Sequence, residues 1–248
     1  MEALAINGGK PVRDLSQKPW PSWPVFGEEE RRNLLEVFES GKWFFGEKVK
    51  EFEERFAAFQ QAKYGVSCNS GTTALEMALY ACRIGAGDEV IIPAYTFMAT
   101  ASAVVRANAV PVFADIDLET CNLDPGEAER KLSERTRAII PVHIAGLPAD
   151  MDGFRDLAQK YNLKIIEDAC HSWGSRWRGK GTGALGDCGV FSFQMSKNIT
   201  SGEGGLLVTD KEEIAETARS FSNCGREETA QWYQHFRFGT NIRMTEFQ

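Results

Sequence analysis

Residues 151–171 read MDGFRDLAQKYNLKIIEDACH. The first half, Met151–Tyr161, spaces its apolar residues as a helix does. Residues 163–167 then form an apolar run of strand length, and the run ends in two carboxylates, Glu167 and Asp168. A helix feeding a buried strand is one step of a crossover fold, so the first question is whether the step repeats.

It repeats along the chain. Residues 65–68, Glu89–Pro93, 110–116 and 138–144 are further strand-length apolar runs. Helix-period segments at 73–83, 99–107 and 125–135 lie between them. Such alternation predicts an α/β fold with a mostly parallel sheet and helices on both faces. Two more strand candidates, 189–193 and Gly205–Thr209, follow each other without a helix, which predicts a hairpin or an antiparallel return. Upstream the pattern changes. Residues 19–24, PWPSWP, lead into a helix, and a second helix aligns Val49, Phe52, Phe56 and Phe59 on one face, a stripe suited to core packing. Residues 237–248, RFGTNIRMTEFQ, read as the beginning of another helix.

Bulk properties narrow the function. A length of 248 residues suits one large α/β domain or one and a half average ones. The net charge is −7 and no basic run occurs, which argues against nucleic acid and anionic membranes as partners. The most apolar long stretch, 97–114, contains Arg106 and Asn108 and does not suit a membrane span. The first residues, MEALAINGGKPVRD, lack the apolar centre of a secretory signal. Six cysteines at 68, 82, 121, 170, 188 and 224 show no metal-binding spacing. Free thiols in a reducing cytoplasm, with no metal, are the expectation.

Three short segments carry chemistry. Residues 69–75, NSGTTAL, join a short strand to a helix, so backbone amides at a helix N-terminus face outward where an anion is favoured. Thr72 and Thr73 add hydroxyls; the plainer reading is that Ser70 or Thr72 caps the helix. Asp168 ends a buried strand, where ligands of open α/β sheets bind, and a carboxylate there can hold a pyridine nitrogen protonated. Its plainer reading is a loop cap, and that of His171 is a satisfied polar residue. Residues 191–205, FSFQMSKNITSGEGG, place Ser192 at a strand end, then Lys197, then glycines that let backbone approach a ligand. Lysine forms imines with aldehydes, whereas a lone lysine is ordinarily a solvated charge. The order of the three decides between these readings. An anion clamp, a pyridinium partner and an imine former are together what pyridoxal 5′-phosphate requires.

The chain resembles the sugar aminotransferases of the DegT/DnrJ/EryC1/StrS group, fold type I pyridoxal-phosphate enzymes. The resemblance runs through residues 43–46 (WFFG), 69–72 (NSGT), 87–93 (GDEVIIP), 95–97 (YTF) and 112–116 (VFADI). It continues through 141–143 (PVH), 167–169 (EDA), 191–193 (FSF), Lys197, 202–205 (GEGG) and 241–244 (NIRM). It implies Lys197 as the Schiff-base lysine and proton shuttle, Asp168 against the pyridine nitrogen, and Phe97 stacked on the ring. It implies Gly71, Thr72, Thr73 and Ser192 around the phosphate and His171 near the ring hydroxyl. Asn241 would reach the phosphate of a neighbouring subunit in a homodimer with shared sites. The implied reaction moves an amino group from glutamine or glutamate to a keto-sugar or keto-cyclitol by way of pyridoxamine phosphate. His171 and the FSFQ run at 191–194 resemble the scyllo-inosose aminotransferases and aminobenzoate-forming synthases more closely.

Residues 1–63 are then an N-terminal arm with helices, 64–238 the cofactor-binding large domain, and 239–248 the start of a connection to a small C-terminal domain that the family carries and this sequence lacks. A non-catalytic or truncated cofactor-binding member is the alternative. A pyridoxamine-dependent sugar dehydratase is disfavoured by Lys197, where those relatives carry histidine.

Overall fold

The computed structural model describes residues 3–227, 231 and 233–248. Two helices, α1 (Glu28–Ser40) and α2 (Glu47–Phe59), precede the first strand. The order is then β1 (Tyr64–Cys68), α3 (Gly71–Ala81), β2 (Glu89–Pro93), α4 (Ala99–Arg106) and β3 (Val110–Ala114). It continues with α5 (Pro125–Arg130), β4 (Thr136–Ile139), α6 (Met151–Tyr161) and β5 (Lys164–Asp168). A small hairpin of β6 (Arg176–Trp177) and β7 (Lys180–Gly181) follows, then β8 (Cys188–Ser192), β9 (Gly205–Thr209) and α7 (Glu212–Ser222).

Local chemistry explains the boundaries. The α6 helix is as expected from its periodicity. Asp150 caps its start by accepting the Gly153 amide, and Asn162 ends it in the left-handed region at φ 53°. The α5 helix begins with the Asp124 cap and a proline, but stops at Arg130, short of the expected 135. Beyond it the Ser133 amide donates to the Thr136 hydroxyl, a turn that competes with helix. Strand β4 starts two residues earlier than expected and ends five earlier, at Ile139, before Pro141, which has no amide to continue the ladder. The hairpin β6–β7 and helix α7 were not read from the sequence.

Seven strands form one sheet in the order β1-β9-β8-β5-β4-β2-β3. The β2–β3, β2–β4, β4–β5 and β5–β8 pairs are parallel, and β9 runs antiparallel to both β8 and β1. Six strands therefore point one way, and β9 is the antiparallel return expected after β8. Helices cover both faces. Val90, Ile92, Ile166 and Val190 pack on one side with Leu75, Leu79, Val104 and Ala218 of α3, α4 and α7. Ile91, Ile139 and Ile165 pack on the other side with Met151, Phe154 and Leu157 of α6. The α2 stripe contributes Phe56, which meets Phe191 and Phe193 edge-on at 4.9 and 5.2 Å. Phe52 joins Phe193 at 5.0 Å, whereas Phe59 is half exposed.

Residues 239–248 do not form the expected helix. Asn241 bridges Asn223, and the Asn69 amide donates to the Ile242 carbonyl at 2.8 Å. Glu246 accepts the amides of Gly46 and Lys48 at 2.8 and 2.9 Å, so it caps α2 from 198 residues away. Backbone partners in the body of the chain thus hold this segment extended.

Candidate active site

Because β1, β2, β5 and β8 are parallel, their carboxyl ends share one edge of the sheet. The segments that leave them are 69–71, 94–98, 169–171 and 193–197. This edge is where an open α/β sheet binds ligands. Strand alternation then selects the face. Ile166 and Val190 face α3, so Asp168 and Ser192, two residues on, point the same way.

The helix α3 forms the first wall. Ser70 caps it by accepting the Thr73 amide at 3.2 Å. The Thr73 hydroxyl lies 2.7 Å from Asn69 Oδ1. Thr73 therefore supports the turn from within, rather than standing free to donate to an anion as expected. Gly71 and Thr72 supply the first two amides of the helix, which have no intrahelical acceptor. A Cβ placed on Gly71 would lie 2.6 Å from Ser192 Cβ and 3.0 Å from its Oγ. The missing side chain is what lets the helix start and the Ser192 hydroxyl form one cradle. Gly205 plays a similar part, since a Cβ there would collide with the Ser70 carbonyl. The cradle fits a phosphate group.

The two carboxylates of β5 have separate environments. Asp168 Oδ2 accepts the Thr100 hydroxyl at 2.9 Å, and Oδ1 accepts the Cys170 amide at 3.2 Å. Thr100 is fully buried in the first turn of α4 and lies 2.9 Å from the Thr96 hydroxyl. Sequence reasoning missed Thr100; the one local signal is its place in the first turn of the helix that follows β2. Glu167 points to the opposite face. It accepts the amides of Gly183, Leu185 and Gly186 at 2.6–2.7 Å, and His143 Nε2 at 2.9 Å. The Ala149 amide donates to His143 Nδ1, which places the ring proton on Nε2, toward Glu167. Glu167 is thus fully satisfied and structural, and Asp168 retains lone pairs toward the site.

Lys197 is half-buried on the turn after β8. Gln194 organises that turn. Its carbonyl accepts the Lys197 amide at 2.9 Å, and its Oε1 accepts the Ser196 amide at 2.8 Å and hydroxyl at 2.7 Å. His171 is half-buried nearby. Burial lowers its imidazole pKa, the Lys197 ammonium lowers it further, and Asp168 opposes both. Burial and Asp168 push the Cys170 thiol well above its ordinary range, with Lys197 acting against them. Lys197, Asp168 and His171 therefore share one electrostatic neighbourhood. Phe97 is 69% exposed at the entrance to α4, and Asn241 is exposed beside the α3 turn. A cavity of about 680 Å³ lies instead along β1, lined by Phe45, Glu53, Ser67, Arg219 and Asn223, and includes none of these residues. The strand-end shelf is the better candidate, because the convergent polar groups are there. Among the described residues no acidic, histidine or cysteine cluster suits a metal, and no helix is long and apolar enough to cross a membrane.

A mixed seven-stranded sheet that gathers a helix-start cradle, an acid and a lysine at one edge has the architecture of the fold type I aminotransferases. The chain belongs to the DegT/DnrJ/EryC1/StrS aminotransferase family, whose model matches residues 24–248. It is similar to the L-glutamine:scyllo-inosose aminotransferase of Streptomyces griseus, at 42% identity over 90% of this chain and 54% of that protein. It is also similar to the crystal structure of 3-amino-5-hydroxybenzoic acid synthase, with a TM-score of 0.89 and 40% identity over 92% of this chain and 61% of that one. The Bacillus subtilis protein NtdA, with its cofactor PMP bound, superposes with a TM-score of 0.83 at 32% identity over 96% of this chain and 58% of that one. The chain spans about 60% of the length of the curated relatives it matches.

Proposed function

We propose that this chain carries the pyridoxal-phosphate site of an aminotransferase that moves an amino group from glutamine or glutamate to a keto-sugar or keto-cyclitol. The convergence of Gly71, Asp168, Ser192 and Lys197 on one sheet edge carries the reading. Pyridoxal phosphate, when bound, supplies an aldehyde that exchanges amino groups and a ring that accepts electrons. Ser192, Gly71 and Thr72 hold its phosphate, with Thr73 bracing their turn. Asp168, steadied by Thr100, keeps the proton on the ring nitrogen. His171 and Phe97 would help to hold the ring, His171 on the side of its hydroxyl and Phe97 against a face. Lys197 Nζ would hold the cofactor through its aldehyde, with loss of water. During transfer it takes the proton from the donor's α-carbon and returns one to the acceptor carbon.

The scyllo-inosose relative and Gln194 favour a cyclitol or sugar ketone as acceptor and glutamine as donor. A homodimer is part of the proposal. Exposed Phe97 and Asn241 stand at the shelf rim, where a second copy would complete it. The division into arm, large domain and connection at 63 and 238 belongs to the same reading, as does a cytoplasmic location, which the six free cysteines suit. The test mixes the chain with pyridoxal phosphate. A visible absorption band should appear, and borohydride should fix the cofactor's mass on Lys197, neither occurring in Lys197→Ala. Glutamine should bleach the band. A folded chain without band or adduct sinks the proposal, and a band that glutamine leaves unchanged marks an inert binder.

A further inference from the structure

Residues 3–26 contain one short 3-10 turn, at Ala5–Asn7, and no longer helix or strand. Leu15, Trp20, Val25 and Phe26 are all exposed. Among the described residues, a single hydrogen bond joins this arm to the body of the chain. The Trp23 indole Nε1 donates to the Met195 carbonyl at 2.7 Å, across 172 residues of sequence. Its neighbour Trp20 has no such bond; the Arg13 guanidinium lies over its ring at 4.1 Å.

The acceptor lies two residues before Lys197. Bonds within the 194–201 turn hold its ends. Gln194 accepts the Lys197 amide, and the Phe193 carbonyl accepts the Ser201 amide at 3.0 Å and the Thr200 hydroxyl at 3.1 Å. Met195 and Ile199 are both more than 40% exposed, so apolar packing contributes little to the turn. The Met195 carbonyl belongs to the peptide that leads into Ser196, and rotation of that peptide swings Lys197. The Trp23 bond opposes that rotation from outside the turn.

We propose that Trp23 is a positioning residue for Lys197, acting through the Met195 carbonyl, so that the N-terminal arm sets the pose of the cofactor lysine. The role assigned to Lys197 rests on the function proposed above; the Trp23 latch does not. The test uses the full chain with Trp23→Phe, which keeps an aromatic ring and removes the N–H, and Trp20→Phe as control. Trp23 lies outside the three apolar cores, so the variant should fold, with a thermal midpoint lowered by no more than about 2–4 °C.

Hydrogen exchange of the cofactor-free protein, resolved by mass spectrometry, reads the latch. Within residues 195–200, Trp23→Phe should speed exchange of the Ser196 and Lys197 amides, which Gln194 holds, by about fivefold, the equilibrium equivalent of one net hydrogen bond. Trp20→Phe should leave those residues as they are. With pyridoxal phosphate added, the pH midpoint of the visible band should move in Trp23→Phe and stay fixed in Trp20→Phe. Unchanged exchange at 195–200 overturns the latch. Faster exchange with an unmoved midpoint overturns positioning of the lysine. If no band forms in the unaltered chain while Trp23→Phe still loosens 195–200, the functional reading fails and the latch stands.

Discussion

Replacing Gly71 by alanine tests the cradle directly. The new Cβ would lie 2.6 Å from Ser192 Cβ and 3.2 Å from Cys170 Sγ. Unstrained carbon contacts need about 3.5–4.0 Å, so the start of α3 and the end of β8 must part by about 1 Å. Overpacking of this kind costs about 1–3 kcal/mol. For a chain of this size each kcal/mol lowers the melting temperature by about 2–4 °C, giving a fall of about 2–12 °C. The same displacement separates the Ser192 hydroxyl from the first amides of α3. Losing one charge-assisted bond to phosphate should weaken pyridoxal-phosphate binding by at least about tenfold. Gly85→Ala is the control: its Cβ would meet nothing closer than 4.0 Å. Calorimetry and a cofactor titration followed by absorbance read the two effects. A Gly71→Ala protein that melts within about 1 °C of the unaltered chain and binds the cofactor equally well would refute the close approach on which the cradle rests.

Other expectations follow from the hydrogen bonds around β5. Thr100→Val removes the hydroxyl donor to Asp168 Oδ2 and should cost about 1.5–3 kcal/mol in urea unfolding, with weaker cofactor retention; no loss of either kind counts against the bracing role. Glu167→Gln turns an amide nitrogen toward donors that a carboxylate oxygen now receives. A loss of about 3 kcal/mol or more is expected, and a near-normal melting temperature would show that the four bonds do not form together. His171 gives a pH signature. Burial first, and Lys197 second, lower its pKa from the ordinary 6.5. The unfolded chain therefore binds the proton more readily, and stability falls as pH drops through 6.5 toward the lower folded value. His171→Asn should flatten that part of the stability profile and leave it unaltered above about pH 7.5; an equal acid slope in both proteins removes His171 as its source. Cys68, raised to about 12 by burial, should resist alkylation at pH 8 in the folded chain, and labelling there at the rate of a free thiol contradicts that burial.

Much of the fold was legible in particular residues. The α6 helix, strand β2 and strand β9 fall where periodicity places them, because period and cap chemistry are properties of neighbouring residues. Strand β4 was misplaced because an apolar run such as 138–144 does not announce which of its amides will find partners. Pro141, which has no amide to donate, is the local signal for the end of the ladder. Helix α7 carries Ile214, Ala215, Ala218 and Phe221 at helical spacing and was also legible, though not read. The candidate site divides in the same way. Lys197, Asp168, Ser192 and Gly71 were legible as residue types at strand or helix ends. Thr100, the separation of Glu167 from Asp168 and the inward engagement of Thr73 were not.

By itself, then, the sequence determined where most strands and helices form, which of them end in reactive side chains, and that a turn of small residues begins α3. These follow from steric and periodic constraints acting over a few residues. The tertiary structure alone decided the order of the strands in the sheet, by which groups as far apart as Gly71 and Lys197 converge on one edge. It also decided that Asp168 faces the site while Glu167 is spent on backbone amides, and that Trp23 reaches Met195 across 172 residues. Such pairings depend on how apolar faces are buried against one another over the whole chain, and no local window of sequence contains that balance.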